Sequence, residues 1–194
     1  MFAGHGIDEM GFVSMEAIEP DEMEVSHDVD VLQIHLELYR LISMFLSDDN
    51  IVKVIGKDIR DEKVGHPDRH FLTRLRESFF RSEISRILIY TAIQCRIMTD
   101  RPYQQTNPDW QRTCGTLETS TTRGGPIVQG ALGGKISPLT TREAFNKIIH
   151  AEHINVDVED AVVYLYGRQN NRRWRAILDV IDYAKWIAFA VPLQ

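Results

Sequence analysis

The sequence predicts a mainly α protein, a four-to-five-helix bundle with a small C-terminal β-hairpin. Three observations predict it: two long stretches with apolar residues at helical spacing, a capping-box start to a further helix at Thr140, and a pair of extended runs around a Gly-Arg-Gln-Asn-Asn turn at 167–171. At 194 residues, 43% hydrophobic, 26% charged and 9% aromatic, the chain can hold one core without a disulfide scaffold or a structural metal. A single domain is expected over 28–194, after an acidic arm at 1–27.

The arm is the clearest shift in composition. Residues 1–39 hold ten acids and no lysine or arginine, whereas the remainder holds 22 bases and 18 acids. Such a leader either lies over a basic surface or serves as a solvated tail. Val31, Ile34, Leu38, Leu41 and Phe45 then recur at three- and four-residue steps, flanked by Leu32, Leu36, Ile42 and Leu46, which predicts a broad-faced, mostly buried helix over 28–47. A short helix over 51–60 should end at the Gly65-His66-Pro67 break. Pro67 suits the first turn of a long helix running to about Thr99, arginine-rich in its first half and apolar in its second. Residues 102–139 contain four prolines and six glycines and are expected to be irregular. Thr140 and Glu143 cap a helix from Thr141 to about Ala151. Val156–Val158 and Ala161–Tyr166 read as extended, and with Trp174–Leu178 they make the candidate hairpin. Val180–Val191 closes the chain as an apolar helix stopped by Pro192.

The apolar run at 84–97 is interrupted by Ser85, Arg86, Gln94 and Arg96, so no membrane span is expected. The amino terminus lacks the basic and apolar regions of a secretory signal, and Cys95 and Cys114 are the only cysteines, which predicts a reduced, cytoplasmic protein.

The segment that carries chemistry is Thr141-Arg-Glu-Ala-Phe-Asn-Lys-Ile-Ile-His150. Helical geometry puts Ala144, Phe145, Ile148 and Ile149 on one face and Arg142, Asn146 and His150 along the adjoining polar edge at successive four-residue steps. Imidazole moves protons near neutrality and guanidinium holds phosphate in a bidentate fork, so the row suits a phosphodiester. His150 is the candidate acid/base, Arg142 the phosphate clamp, Asn146 the orienting group and Lys147 a neutraliser of developing charge. The plainer alternative is that Asn146 and His150 bond to a neighbouring element.

Arg-Glu-Ala-Phe-Asn-Lys-Ile-Ile-His-Ala at 142–151, set among long helices, resembles the signature of the HEPN superfamily, the higher eukaryote and prokaryote nucleotide-binding domains. The resemblance implies a dimeric helical bundle that acts on RNA or binds a nucleotide in a bacterial or phage-conflict setting and, for many members, metal-independent cleavage of RNA, with Arg142 steadying the phosphate and His150 assisting attack by the 2′-hydroxyl. Seven residues separate Arg142 from His150 here, where the family pattern has four to six. That spacing favours the alternative, a non-catalytic interaction or regulatory module with an acidic arm and a partner protein. Arg60 and His66 have the family spacing but fall at a helix break.

Around the hairpin, Arg168, Arg172, Arg173 and Arg175 surround Trp174, an arrangement that stacks on RNA bases or, alternatively, plugs the indole into the core. Arg69, Arg74, Arg76, Arg81 and Arg86 either grip a nucleic-acid backbone or form a solvated face paired with acids. The His66/His70 and His150/His153 pairs lack a third ligand nearby, and the 124–134 glycine run lacks the Lys-Ser/Thr of a phosphate loop, so no metal or cofactor is expected. Two helices apolar on more than one face predict a homodimer.

Overall fold

A computed structural model of the chain describes residues 29–60, 66, 70–120 and 134–193. The acidic arm, Pro67 and Arg69, and nearly all of the 124–134 glycine run lie outside them. The elements in order are α1 (Val31–Arg60), α2 (Phe71–Thr99), a 3-10 turn (Pro108–Gln111), β1 (Thr113–Thr119), β2 (Lys135–Thr140), α3 (Thr141–Ile149), β3 (His153–Asp157), β4 (Val162–Gln169), β5 (Arg172–Asp179) and α4 (Val180–Ala190). The expected bundle with a small hairpin is thereby corrected. Among the described residues, four helices accompany a five-stranded antiparallel sheet in the order β2-β1-β5-β4-β3, an α+β architecture.

The helices follow the apolar spacing, with one fusion. The expected short helix at 51–60 is the continuation of α1, and within the polar stretch that joins the two, Asp48 is held from outside. Asp48 is buried there and takes both Nε and Nη2 of Arg76 on α2. Glu37, also buried, bridges the same two helices through Arg86, at 2.9 Å. Arg76 and Arg86 are therefore spent on α1 rather than presented to a ligand. The long helix begins at Phe71, where the His70 Nδ1 accepts from the Leu72 N–H and its Nε2 meets Asp58 at 3.0 Å. His70 is thus a buried helix cap. The second half of α2 enters the core, as its apolar run requires, with Ile84, Ile87, Leu88, Ala92 and Cys95 buried.

Within the 102–139 segment expected to be irregular, 113–119 and 135–139 are strand. Its signal was weak because β1 carries an irregularity between Thr113 and Thr116 that breaks the period-two pattern. Gly115 sits there at φ 156°, and a Cβ on it would run into the Ile177 carbonyl. Only glycine lets β1 lie against β5 at this point. β2 contains Pro138 and is tolerated because β2 is an edge strand. The expected hairpin becomes the β3-β4-β5 meander, and Asn170 and Asn171, at φ 52° and 61°, supply the left-handed pair of a tight β4–β5 turn.

Strand parity sorts the side chains. Val163, Leu165 and Gly167 of β4 lie opposite Leu178, Ala176 and Trp174 of β5, and these form one core with α2, α3 and α4. Tyr164 and Tyr166, opposite Ile177 and Arg175, occupy the other face, whereas Arg168, opposite Arg173 at the end of the ladder, turns to Glu152 and the α3 side. Trp110, Phe145 and Tyr183 stack edge to face at the centre, where the Tyr183 hydroxyl meets Thr91 at 3.1 Å. Cys95 and Cys114 are free and buried, and burial pushes the Cys114 thiol up to about 12.

Candidate functional site

The α3 helix begins as its sequence requires, with Thr140 Oγ1 accepting from the Glu143 N–H at 3.2 Å. The Glu143 carboxylate turns along the helix to Lys147, 3.1 Å away. The polar edge of α3 then meets the β4–β5 hairpin. Glu143, Asn146, Lys147 and His150 line a cleft of about 390 Å³ together with Arg168, Gln169 and Trp174. A second cleft of about 370 Å³ adjoins it, sharing Lys147, Gln169 and Trp174 and adding Thr119, Asn170 and Arg172.

Lys147 is the hinge of this arrangement. It is only 6% exposed, its ammonium donates to Gln169 Oε1 at 3.3 Å, and it rests 4.8 Å above the Trp174 ring. A desolvated ammonium needs partners of this kind. Trp174 is 2% exposed, so it is the floor of the cleft and a plug in the core rather than a free stacking surface. Gly167, directly opposite it across the ladder, makes room for the indole. His150 caps the C-terminus of α3 through its own N–H to the Asn146 carbonyl, while its exposed ring has no hydrogen-bond partner among the described residues. Arg168 leans on Glu152 at 3.4 Å, and Arg172 has no acidic partner among the described residues. The two adjoining clefts therefore join a buried cation paired with the Glu143 carboxylate, two guanidinium groups, three amides and an open imidazole, a set that can take an anion carrying a transferable proton.

The sequence-predicted residues divide three ways. Asn146, Lys147 and His150 of one predicted set come together with Arg168, Arg172 and Trp174 of the other. Arg142 does not line the cleft, because it reaches Asp100 at the end of α2, 3.7 Å away. Of the expected row, Asn146 and His150 line the cleft and Arg142 does not. Arg173 and Arg175 project from the opposite face of the sheet, Arg175 donating to Glu118 at 2.7 Å. Sequence reasoning missed Gln169 and Tyr164 and Tyr166. Parity along β4 is the signal that finds them, once the strand is known to run to Gln169.

Among the described residues no three His, Cys, Asp or Glu side chains converge to hold a metal, and no helix is long and apolar enough to cross a membrane. Fold and site together define an α+β protein with a cationic cleft between a helix and a β-hairpin. Compared with family models, with curated proteins and with solved structures, the chain matches none.

Proposed function

We propose that the protein acts on RNA at the cleft between α3 and the β4–β5 hairpin. The observation that carries this reading is the convergence of two segments, distant in sequence, each of which supplies phosphate-binding chemistry: Lys147, Asn146 and His150 from α3, and Arg168 and Arg172 from the hairpin. In this reading the guanidinium groups and the Lys147 ammonium hold a backbone phosphate. His150 takes the proton of the ribose 2′-hydroxyl as that oxygen attacks phosphorus, the bond to the 5′-oxygen breaks, and solvent protonates the leaving alkoxide, giving a 2′,3′-cyclic phosphate. Arg142, assigned to the phosphate by the HEPN resemblance, has no part in this step.

Labelled RNA incubated with the wild-type protein in the presence of a chelator should yield cyclic-phosphate ends. His150→Ala, a change at an exposed ring, should keep the fold and lower cleavage by about 10²–10⁴-fold. Undiminished cleavage by that variant overturns the assignment. The Arg142–Asp100 pair favours a second reading, a non-catalytic module that binds RNA or a partner protein without cutting. Intact RNA, with binding lost in Arg172→Glu, identifies that case.

We also infer a homodimer, supported by Leu32, Tyr39 and Leu46, which stand about 70% exposed at seven-residue intervals on α1. This is the seam spacing of paired helices. Sedimentation at micromolar concentration checks it, and a single-chain mass independent of concentration refutes it.

A further inference from the structure

The outer face of the sheet carries a second arrangement. Tyr164 and Tyr166 stand two residues apart on β4, hence on one face and about 7 Å apart along the strand. Both are half-buried, neither belongs to the core cluster or to the residues packed against it, and their hydroxyls have no partner among the described residues. Arg175 lies directly opposite Tyr166, fixed by its pair with Glu118, and Ile177 lies opposite Tyr164. Next along the ladder, Arg168 and Arg173 are paired across β4 and β5. Glu152 takes up Arg168, but Arg173 has no acidic partner among the described residues. The acids of this face are Glu118, taken up by Arg175, and Asp157 and Asp179, which flank Val162 at the far end of the same ladder.

We propose that this face is a stacking platform for single-stranded RNA, with two successive bases on Tyr166 and Tyr164 and the phosphates over Arg173. Charge complementarity selects the occupant. Arg173 stands at the hairpin end without an acidic partner among the described residues, where an anionic backbone pairs with it, and the paired aromatic rings suit unpaired bases, which a duplex withholds. The choice of RNA rests on the reading of the His150 cleft, which opens on the inner side of the same hairpin. A strand crossing the hairpin end reaches both.

The test uses full-length protein and a labelled 2′-O-methyl oligouridylate of about 12 nucleotides, a probe that His150 chemistry leaves intact. Tyr164→Ala and Tyr166→Ala should each weaken binding by about five-fold or more, while the phenylalanine variants, which keep the ring, bind as wild type. Arg173→Glu should weaken binding yet leave the melting temperature unchanged, since Arg173 has no acidic partner among the described residues to lose; a merely structural arginine loses both together. Wild-type affinity in both alanine variants, or equal affinity for a duplex, overturns the platform. The two readings fail separately. Cleavage lost in His150→Ala with unchanged binding by the tyrosine variants leaves the cleft standing without the platform, and weakened binding by the tyrosine variants with no cleavage by wild type leaves the platform without the catalytic cleft.

Discussion

Gly167→Ala tests the joint between core and cleft. A methyl at this position would lie 2.7 Å from Cε2 of Trp174 and 2.9 Å from the carbonyl oxygen of His150, with Cζ2 of the indole closer still. Relaxed carbon contacts are about 3.5–4.0 Å, so roughly an ångström has to be recovered. Neither neighbour yields easily: the indole is a rigid plate only 2% exposed, and the carbonyl belongs to the backbone at the end of α3. Overpacking of this kind costs about 1–3 kcal/mol, against about 0.5–1 kcal/mol returned by removing a strand glycine. The net loss of about 1–2 kcal/mol corresponds to a fall of roughly 2–8 °C in Tm for a domain of this size. Displacing Trp174 also withdraws the surface on which Lys147 rests, so tryptophan emission should shift and RNA affinity should fall with stability. Calorimetry, emission spectra and a binding titration on one preparation measure all three. An unchanged or raised Tm with unaltered emission refutes the account of Gly167 as a steric necessity.

Arg76→Ala should cost about 1–3 kcal/mol in urea unfolding, because it leaves the Asp48 carboxylate buried without its fork, whereas Asp48→Asn should cost less. Equal losses would show that charge pairing is not what joins α1 to α2 there. Thr140→Ala should lower stability by about 0.5–2 kcal/mol through loss of the α3 cap, read from the same unfolding curves; no change refutes the cap. Burial raises the Cys114 thiol to about 12 from 9.0 and raises Cys95 as well, so the folded state keeps protons that the unfolded chain releases. Stability should hold below pH 9 and fall as pH rises toward 12, by up to about 1.4 kcal/mol per pH unit for each thiol. Urea midpoints across that range check the slope, which Cys114→Ala should flatten; an equally steep fall in that variant refutes the thiol as its source.

The helices were legible because each buries a stripe that the three- and four-residue spacing of its own sequence announces. α4 illustrates this: Tyr183, Ala184 and Ile187 are buried on one side, Asp179 caps its start, and Pro192 follows its end. The sheet was less legible because its marks are non-local. β1 is interrupted by a register irregularity, β2 contains a proline, and β3 is a five-residue edge strand, so each depends on a neighbour that a sequence window does not contain. The contact at the join within α1 is non-local too, since the Arg76 that holds Asp48 comes from 28 residues away. At the site, local spacing placed Arg142, Asn146 and His150 on one edge, but it had no means of knowing that Asp100 would draw off Arg142.

The cationic run at 172–175 shows how a cluster that is single in sequence becomes two surfaces in the fold. A strand sends successive side chains to opposite faces, so the dense reading of Arg172, Arg173, Trp174 and Arg175 as one patch cannot survive once β5 forms. Arg172 and Trp174 turn inward to the Lys147 cleft, and Arg173 and Arg175 turn outward beside Tyr164 and Tyr166. The tight Asn170-Asn171 turn keeps the two faces within one hairpin, so the distance between them is set by the thickness of a strand rather than by a flexible loop. A polyanion that engages both faces must therefore bend around the hairpin end, which a single strand does readily and a stiff duplex does not. Preference for single strands follows from this geometry as well as from the aromatic rings. It should persist, though weakened, when the tyrosines are removed and the arginines on both faces are kept.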